Sequence, residues 1–194
     1  MRNCLKERKT NETNISVELN LDGSGKREID TGIKFFNHML EQFSAHSGLD
    51  LKITAESLDG DQHHLVEDVA ITLGLALKEA LGDKKGINRY GYFILPMDEA
   101  LVLSVIDLSN RYFCKIDAQF EQDMTGDFET VLLQHFFVSL AQNLCATIHI
   151  RVLDGVDVHH IIEAVFKSFA HALKVACAID PDNKNSVLST KGVL

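Results

Sequence analysis

The chain has 194 residues, with 19 Lys and Arg against 28 Asp and Glu, nine His, four Cys, two Pro and no Trp, and a formal net charge of −9. That charge argues against a nucleic-acid binder, which needs a basic stripe to neutralise phosphates, and no apolar run approaches the roughly 20 residues that span a bilayer. The charged N-terminus lacks the apolar stretch of a secretory signal, and Cys4, Cys114, Cys145 and Cys177 are too scattered for a zinc knuckle or disulfide framework, so a reduced, cytoplasmic protein is expected.

In chain order, Ile15, Val17, Leu19 and Leu21 alternate with polar residues, the period of a half-buried strand. Asp22-Gly23-Ser24-Gly25 is a turn, with a second short strand after it. From Ile33 to about His46, Phe36, Met39, Leu40 and Phe43 recur at helical spacing. Leu49, Leu51 and Ile53 alternate again, and Val66, Val69, Leu73 and Leu77 mark a long helix that stops at Gly82.

The second half repeats the order. Strands are predicted near Tyr92–Leu95, Leu101–Leu108 and Arg111–Glu121. Next comes a helix carrying Leu132, His135, Phe136 and Leu140 that Asp127 can cap, then a strand with Ile148, Ile150 and Val152. A final helix runs from about His159 to Ala178, with Pro181 beyond it. The expected fold is α+β, with helices covering one face of each sheet. It is an internally duplicated unit, residues 1–86 forming the first repeat and residues 87–194 the second plus a C-terminal tail.

The strongest sign of duplication is Asp61-Gln62-His63-His64-Leu65-Val66-Glu67-Asp68, which returns as Asp157-Val158-His159-His160-Ile161-Ile162-Glu163-Ala164. His38 and His135 occupy matching helical positions upstream. On a helix His63 and Glu67 share a face one turn apart, whereas His64 sits about 100° further round. Adjacent His therefore serve two different ions more easily than one. The candidate ligands are His38, His63, His64, Glu67, His135, His159, His160 and Glu163. They suffice for two metals with three His and one carboxylate each, a donor set that suits Mn, Fe, Ni or Zn. Asp61 and Asp157 are placed to cap their helices or to hold a ligand imidazole. His46, His149 and His171 lack such support and read as structural. The end, Ser189-Thr190-Lys191-Gly192-Val193-Leu194, reads equally as an anion-binding tail or a solvated terminus.

Several segments together resemble the imidazoleglycerol-phosphate dehydratase family over nearly the whole chain. They are Arg8-Lys9-Thr10-Asn11-Glu12-Thr13, Thr31-Gly32-Ile33-Lys34-Phe35-Phe36-Asn37-His38-Met39-Leu40, both His-His-x-x-Glu motifs, Pro96-Met97-Asp98-Glu99-Ala100, Asp107-Leu108-Ser109-Asn110-Arg111 and Ser189-Thr190-Lys191-Gly192. Leu65, Lys34 and Leu188 depart from the residues usual in that family, and none of the three is a candidate ligand.

The resemblance implies dehydration of D-erythro-imidazole-glycerol phosphate to imidazole-acetol phosphate in histidine biosynthesis, with two Mn²⁺. It also implies helices sandwiched between two sheets and a homo-oligomeric shell of 24 subunits with active sites between neighbours. A metal on the substrate imidazole would favour its electron-rich imidazolate form, which can expel the neighbouring hydroxyl. A carboxylate would move the proton. By that resemblance Glu12, Glu67 and Glu163 would be the catalytic carboxylates, Glu12 being the best base candidate. Arg89, Arg111, Lys167, Ser189 and Lys191 would hold the phosphate, with Gln42 and Asp98 as weaker substrate contacts. A metallohydrolase of phosphate esters and a metal-storage assembly are the competing readings. The Glu12 segment and the phosphate residues favour the dehydratase.

Overall fold

The computed structural model describes residues 2–194. The first half contains β1 (Asn3–Lys9), β2 (Thr13–Asn20), β3 (Arg27–Asp30), α1 (Lys34–Ser47), β4 (Asp50–Ser57) and α2 (Gln62–Leu81). The second half contains β5 (Tyr90–Met97), β6 (Ala100–Asp107), β7 (Phe113–Asp117), β8 (Met124–Thr125), β9 (Phe128–Glu129), α3 (Leu132–Leu144), β10 (Thr147–Asp154) and α4 (Val158–Cys177).

The two four-stranded sheets have the orders β1-β2-β4-β3 and β5-β6-β10-β7, so each strand of one has a counterpart in the other. The edge pairings β3–β4 and β7–β10 are parallel, and all other pairings in these sheets are antiparallel. Alternation sets which face is inward. Ile15, Val17 and Leu19 of β2 are buried, as are Val102 and Ile106 of β6.

The helices lie between the sheets. α1 packs against α4 and α2 against α3, so the helical layer joins the halves. Its centre is aromatic and closed to solvent. Phe43 stacks on Phe169 with ring centroids 5.9 Å apart, and Phe136 and Phe137 meet Phe166 at 5.3 Å each. Truncating any one of these rings to Ala should cost about 3–5 kcal/mol. Close approach demands glycine at two positions. A Cβ on Gly91 would stand 1.9 Å from the Ala172 carbonyl oxygen, and one on Gly74 would stand 2.9 Å from that of Leu140.

Two expectations are corrected. The strand expected over Arg111–Glu121 is shorter, Phe113–Asp117, and is followed by the β8–β9 hairpin, which has no counterpart among the described residues of the first half. Asp127, at the hairpin turn, does not cap α3. Its carboxylate oxygens accept the N–H groups of Lys34 and Phe35 at 2.8 and 2.9 Å, so it caps α1, whose own N-cap residue Ile33 offers no side-chain acceptor. The hairpin also sets Phe128, fully buried, against Phe35 and Phe36.

Candidate metal centre and anion pocket

The two His-His-x-x-Glu segments open α2 and α4. Asp61 and Asp157 cap these helices, each accepting a backbone N–H, from His63 and His159 respectively, at 2.8 Å. The caps fix the angular position of the first turn and hence of both imidazoles.

The structure crosses the repeats. His38 of α1 meets the motif of the other half: its Nε2 lies 3.1 Å from Glu163 Oε2, and His159 Nε2 lies 3.2 Å from the same oxygen. Among the described residues His38, His159 and Glu163 form one of two groups whose ligand atoms all lie within 4.8 Å of one another. Glu163 is buried, which would raise its carboxyl. The Lys167 ammonium on its other oxygen at 2.6 Å, aided by His38, holds it below its ordinary value instead. In the mirrored position, the rings of His63 and His135 lie 4.3 Å apart, centroid to centroid. Glu67 is one helical turn on from His63 and half-buried, though these three do not form so tight a group.

His64 and His160 stand apart from these groups, each on a carboxylate. His64 Nδ1 donates to Asp59 Oδ2 at 2.7 Å and His160 Nδ1 to Glu99 Oε2 at 2.8 Å. These partners raise both imidazoles above their ordinary pKa. The Asp157 backbone N–H, with help from His160, pulls Glu99 down to about 2. The second tight group is Glu12, Asp59 and His64, in which Glu12 Oε2 lies 3.9 Å from His64 Nδ1. Asp98 Oδ2 approaches His160 Nε2 at 3.7 Å, and Gln42 Nε2 lies 3.5 Å from His38 Nδ1.

An open pocket gathers Arg89, Arg111, Ser189 and Lys191. Arg89 is buried and anchored: Nε and Nη2 donate to the Asp107 carboxylate at 2.7 and 3.1 Å, and Nη1 to the Leu188 carbonyl at 2.6 Å. That last bond holds the C-terminal tail against the second sheet. Lys84, buried by its neighbours, donates to Asn110 Oδ1 at 2.6 Å and fixes the loop that carries Arg111. Lys167 is not among the residues lining this pocket and spends its ammonium on Glu163.

Sequence reasoning missed several contacts here. It set aside His46 and His171, but His46 Nδ1 lies 3.1 Å from His171 Nε2, and Phe93 stacks on the His171 ring. They continue the helical rows that hold His38 and Glu163, a spacing of eight residues that the pattern itself contained. It also passed over Asp59, Glu99 as a histidine partner, and Lys84, because each works through a contact distant in the fold or outside the motif.

Fold and site together define a class: a duplicated α+β protein that brings imidazole and carboxylate groups together across its two halves and carries a separate basic pocket toward the C-terminal end of α4. A family model described as imidazoleglycerol-phosphate dehydratase matches residues 31–173. A protein of that name from Chloroherpeton thalassium is 51% identical over 96% of this chain and 95% of its own. One from Synechococcus elongatus is 49% identical over 96% and 90%. Among solved structures, imidazoleglycerol-phosphate dehydratase from Staphylococcus aureus aligns with a TM-score of 0.82 at 38% identity, covering 90% of this chain and 98% of that one. The Pyrococcus furiosus protein, titled as a complex with (S)-C348, aligns with a TM-score of 0.84 at 42% identity, covering 97% and 100%. The chain belongs to the imidazoleglycerol-phosphate dehydratase family.

Proposed function

We propose that this chain dehydrates D-erythro-imidazole-glycerol phosphate to imidazole-acetol phosphate, the hydro-lyase step of histidine biosynthesis that its family carries out, and that it does so with two Mn²⁺ ions. The observation that carries the metal reading is the His38–His159–Glu163 group, in which two imidazoles and a buried carboxylate converge from opposite halves of the chain. Oxygen and imidazole donors without thiolate fit Mn²⁺, with Fe, Ni or Zn as alternatives of lower preference. His38, His159 and Glu163 would hold one ion, and His63, His135 and Glu67 the other. Bound there, the metals supply Lewis acidity that favours the anionic form of the substrate imidazole.

The chain's own residues do the rest. Arg111, Ser189 and Lys191, with Arg89 as their anchored base, present charge-assisted donors to the phosphate, each such bond worth roughly 1.5–3 kcal/mol when desolvated. Lys167, apart from that pocket and paired with Glu163, would add its charge at the imidazole-carboxylate group, and Gln42 and Asp98 orient the substrate. Glu12, exposed beside His64, takes the carbon-bound proton, and Glu67 and Glu163 keep the ligand sets anionic.

His64 and His160 are held on Asp59 and Glu99 and do not join the groups that His63 and His159 form within their own chain. That supports an arrangement in which each supplies the fourth ligand to a site of a neighbouring subunit. A homo-oligomer of 24 subunits with shared sites is the assembly we propose. Among the described residues no helix is long and apolar enough to cross a membrane, and the four cysteines are free thiols, which fits a reducing, cytoplasmic setting.

The test is a dehydratase assay on metal-stripped protein with Mn²⁺ added back, alongside metal analysis. Restored turnover at about two Mn²⁺ per chain is expected from the two ligand sets. Full turnover in the stripped protein would overturn the metal reading.

A further inference from the structure

The duplicated fold contains its own internal comparison. Glu12 immediately precedes β2, and Glu99 immediately precedes the counterpart strand β6. His64 and His160 are likewise counterparts. In the second half Glu99 grips His160: its Oε2 accepts from Nδ1 at 2.8 Å, and its Oε1 accepts the Asp157 N–H at 2.8 Å. In the first half Glu12 does not do this and stands 3.9 Å from His64 Nδ1. Asp59 occupies the role instead. Its Oδ2 accepts from His64 Nδ1 at 2.7 Å, while Oδ1 accepts the Asp61 N–H at 3.0 Å and the Ser57 hydroxyl at 3.2 Å.

The two clamps share a plan. In each, one carboxylate oxygen is tied to the backbone N–H of the helix-capping Asp and the other is aimed at the imidazole. The carboxylate comes from different places. The segment between β4 and α2 is Leu58-Asp59-Gly60-Asp61, whereas the one between β10 and α4 is Gly155-Val156-Asp157, one residue shorter and without an acid before the cap. The additional residue makes room for a local acid in the first half only.

We propose that Asp59 is the positioning residue for His64, that Glu99 is its counterpart for His160, and that Asp59 thereby leaves Glu12 free to act on substrate. A clamped Nδ1–H fixes the tautomer in which Nε2 presents its lone pair to a metal, and it orients the ring. Without Asp59 the nearest replacement is Glu12, which would then be drawn out of its catalytic position.

A second feature serves the same end. Glu12 lies on a turn held by Thr10 Oγ1, which accepts the N–H groups of Glu12 and Thr13, and by buried Asp68, which binds Thr13 Oγ1 and Arg8 Nε. The residue following the second motif's glutamate, where Asp68 stands in the first, is Ala164. The half that offers a free glutamate is the half that carries a polar lock beneath it.

This inference rests on the metal reading above, and the experiment separates the two. Mn²⁺ alone is titrated into metal-stripped wild type, D59A, D59N, E12A and the D59A/E12A double variant. Asp59 is exposed, so its removal spares the core. D59A is expected to weaken one of the two Mn²⁺ sites by about 10–100-fold, the usual effect of losing such a partner, and to leave the other unchanged. E12A alone should leave both affinities intact. D59N, whose NH2 replaces one of the two accepting oxygens and meets a donor there, should recover only a small part of the loss. The double variant should bind more weakly than D59A, because Glu12 takes over the clamp only when Asp59 is gone, a non-additivity that a cycle reads directly. Wild-type binding with unchanged affinity in D59A overturns this proposal alone, as does weakened binding in E12A. A wild type that binds no Mn²⁺ overturns the metal reading and this proposal with it.

Discussion

Nε2 of His38 lies 3.1 Å from Oε2 of Glu163, across 125 residues of chain. An imidazole from the first repeat thus completes a group whose other members belong to the second. Replacing Glu163 with Gln removes the anionic oxygen and leaves Lys167 without its 2.6 Å partner. We expect one Mn²⁺ per chain to be lost and turnover to fall by at least about 100-fold, given that metal affinity depends on ligand charge. Metal analysis and a single-turnover assay check this together.

The proposed sharing of sites makes assembly depend on His64 and His160. In either His64→Ala or His160→Ala, dehydratase activity should vanish and the oligomer should dissociate or loosen, since each would remove a ligand supplied to a neighbour. Light scattering at matched concentration, with and without Mn²⁺, reads the outcome. An assembly of wild-type size and full metal content in both variants contradicts the shared-site arrangement.

Phosphate binding should separate from metal binding. Lys191→Ala is expected to raise KM by roughly 10–100-fold, the equivalent of one lost charge-assisted bond, with metal content unchanged. Arg89→Lys should do more damage than its conserved charge suggests. A lysine cannot reproduce the fork that engages Asp107 and also reach the Leu188 carbonyl. The tail should then become protease-sensitive, which limited digestion would register.

The Asp127 cap predicts a stability effect far from any chemistry. Asp127→Ala would leave two N–H groups of α1 without their acceptor and should cost about 1–2 kcal/mol in urea unfolding. Asp127→Asn keeps one of the two acceptors and should cost less than Asp127→Ala but more than nothing.

A pH effect follows from His46 and His171. Burial first, then the neighbouring imidazole and Lys167, hold His46 below its ordinary 6.5. Burial and then Lys174 hold His171 below the same value. For a His depressed in the fold, the unfolded chain binds more protons as pH falls below 6.5, so stability present at neutral pH is lost through that window. The melting temperature of the metal-free protein should drop from about pH 7 to about pH 5. His171→Gln, which keeps a hydrogen-bonding group but does not titrate there, should flatten that dependence.

Much of this architecture was written in local pattern. The alternation in Ile15, Val17 and Leu19 and the helical spacing from Val66 to Leu77 identify their elements because those segments bury one continuous face. The doubled motif exposed the duplication. Other features were not local. Asp127 reads as a cap for the helix that follows it, yet it caps α1, because capping needs only an acceptor in space. The pairing of His38 with Glu163, rather than with Glu67 of its own repeat, depends on α1 packing on α4. The β8–β9 hairpin has strands of two residues each, too short to leave a period.

The packing of α1 on α4 and α2 on α3 also has a consequence during synthesis. When the first 86 residues have emerged, Phe36 and Phe43 have no partner, since Phe136 and Phe169 are still to be made. At roughly 5–20 residues per second the second half takes roughly 5–20 s to follow. For that interval the nascent chain carries an uncovered aromatic helical face, and the ring that covers Phe43 arrives on the last helix to be translated.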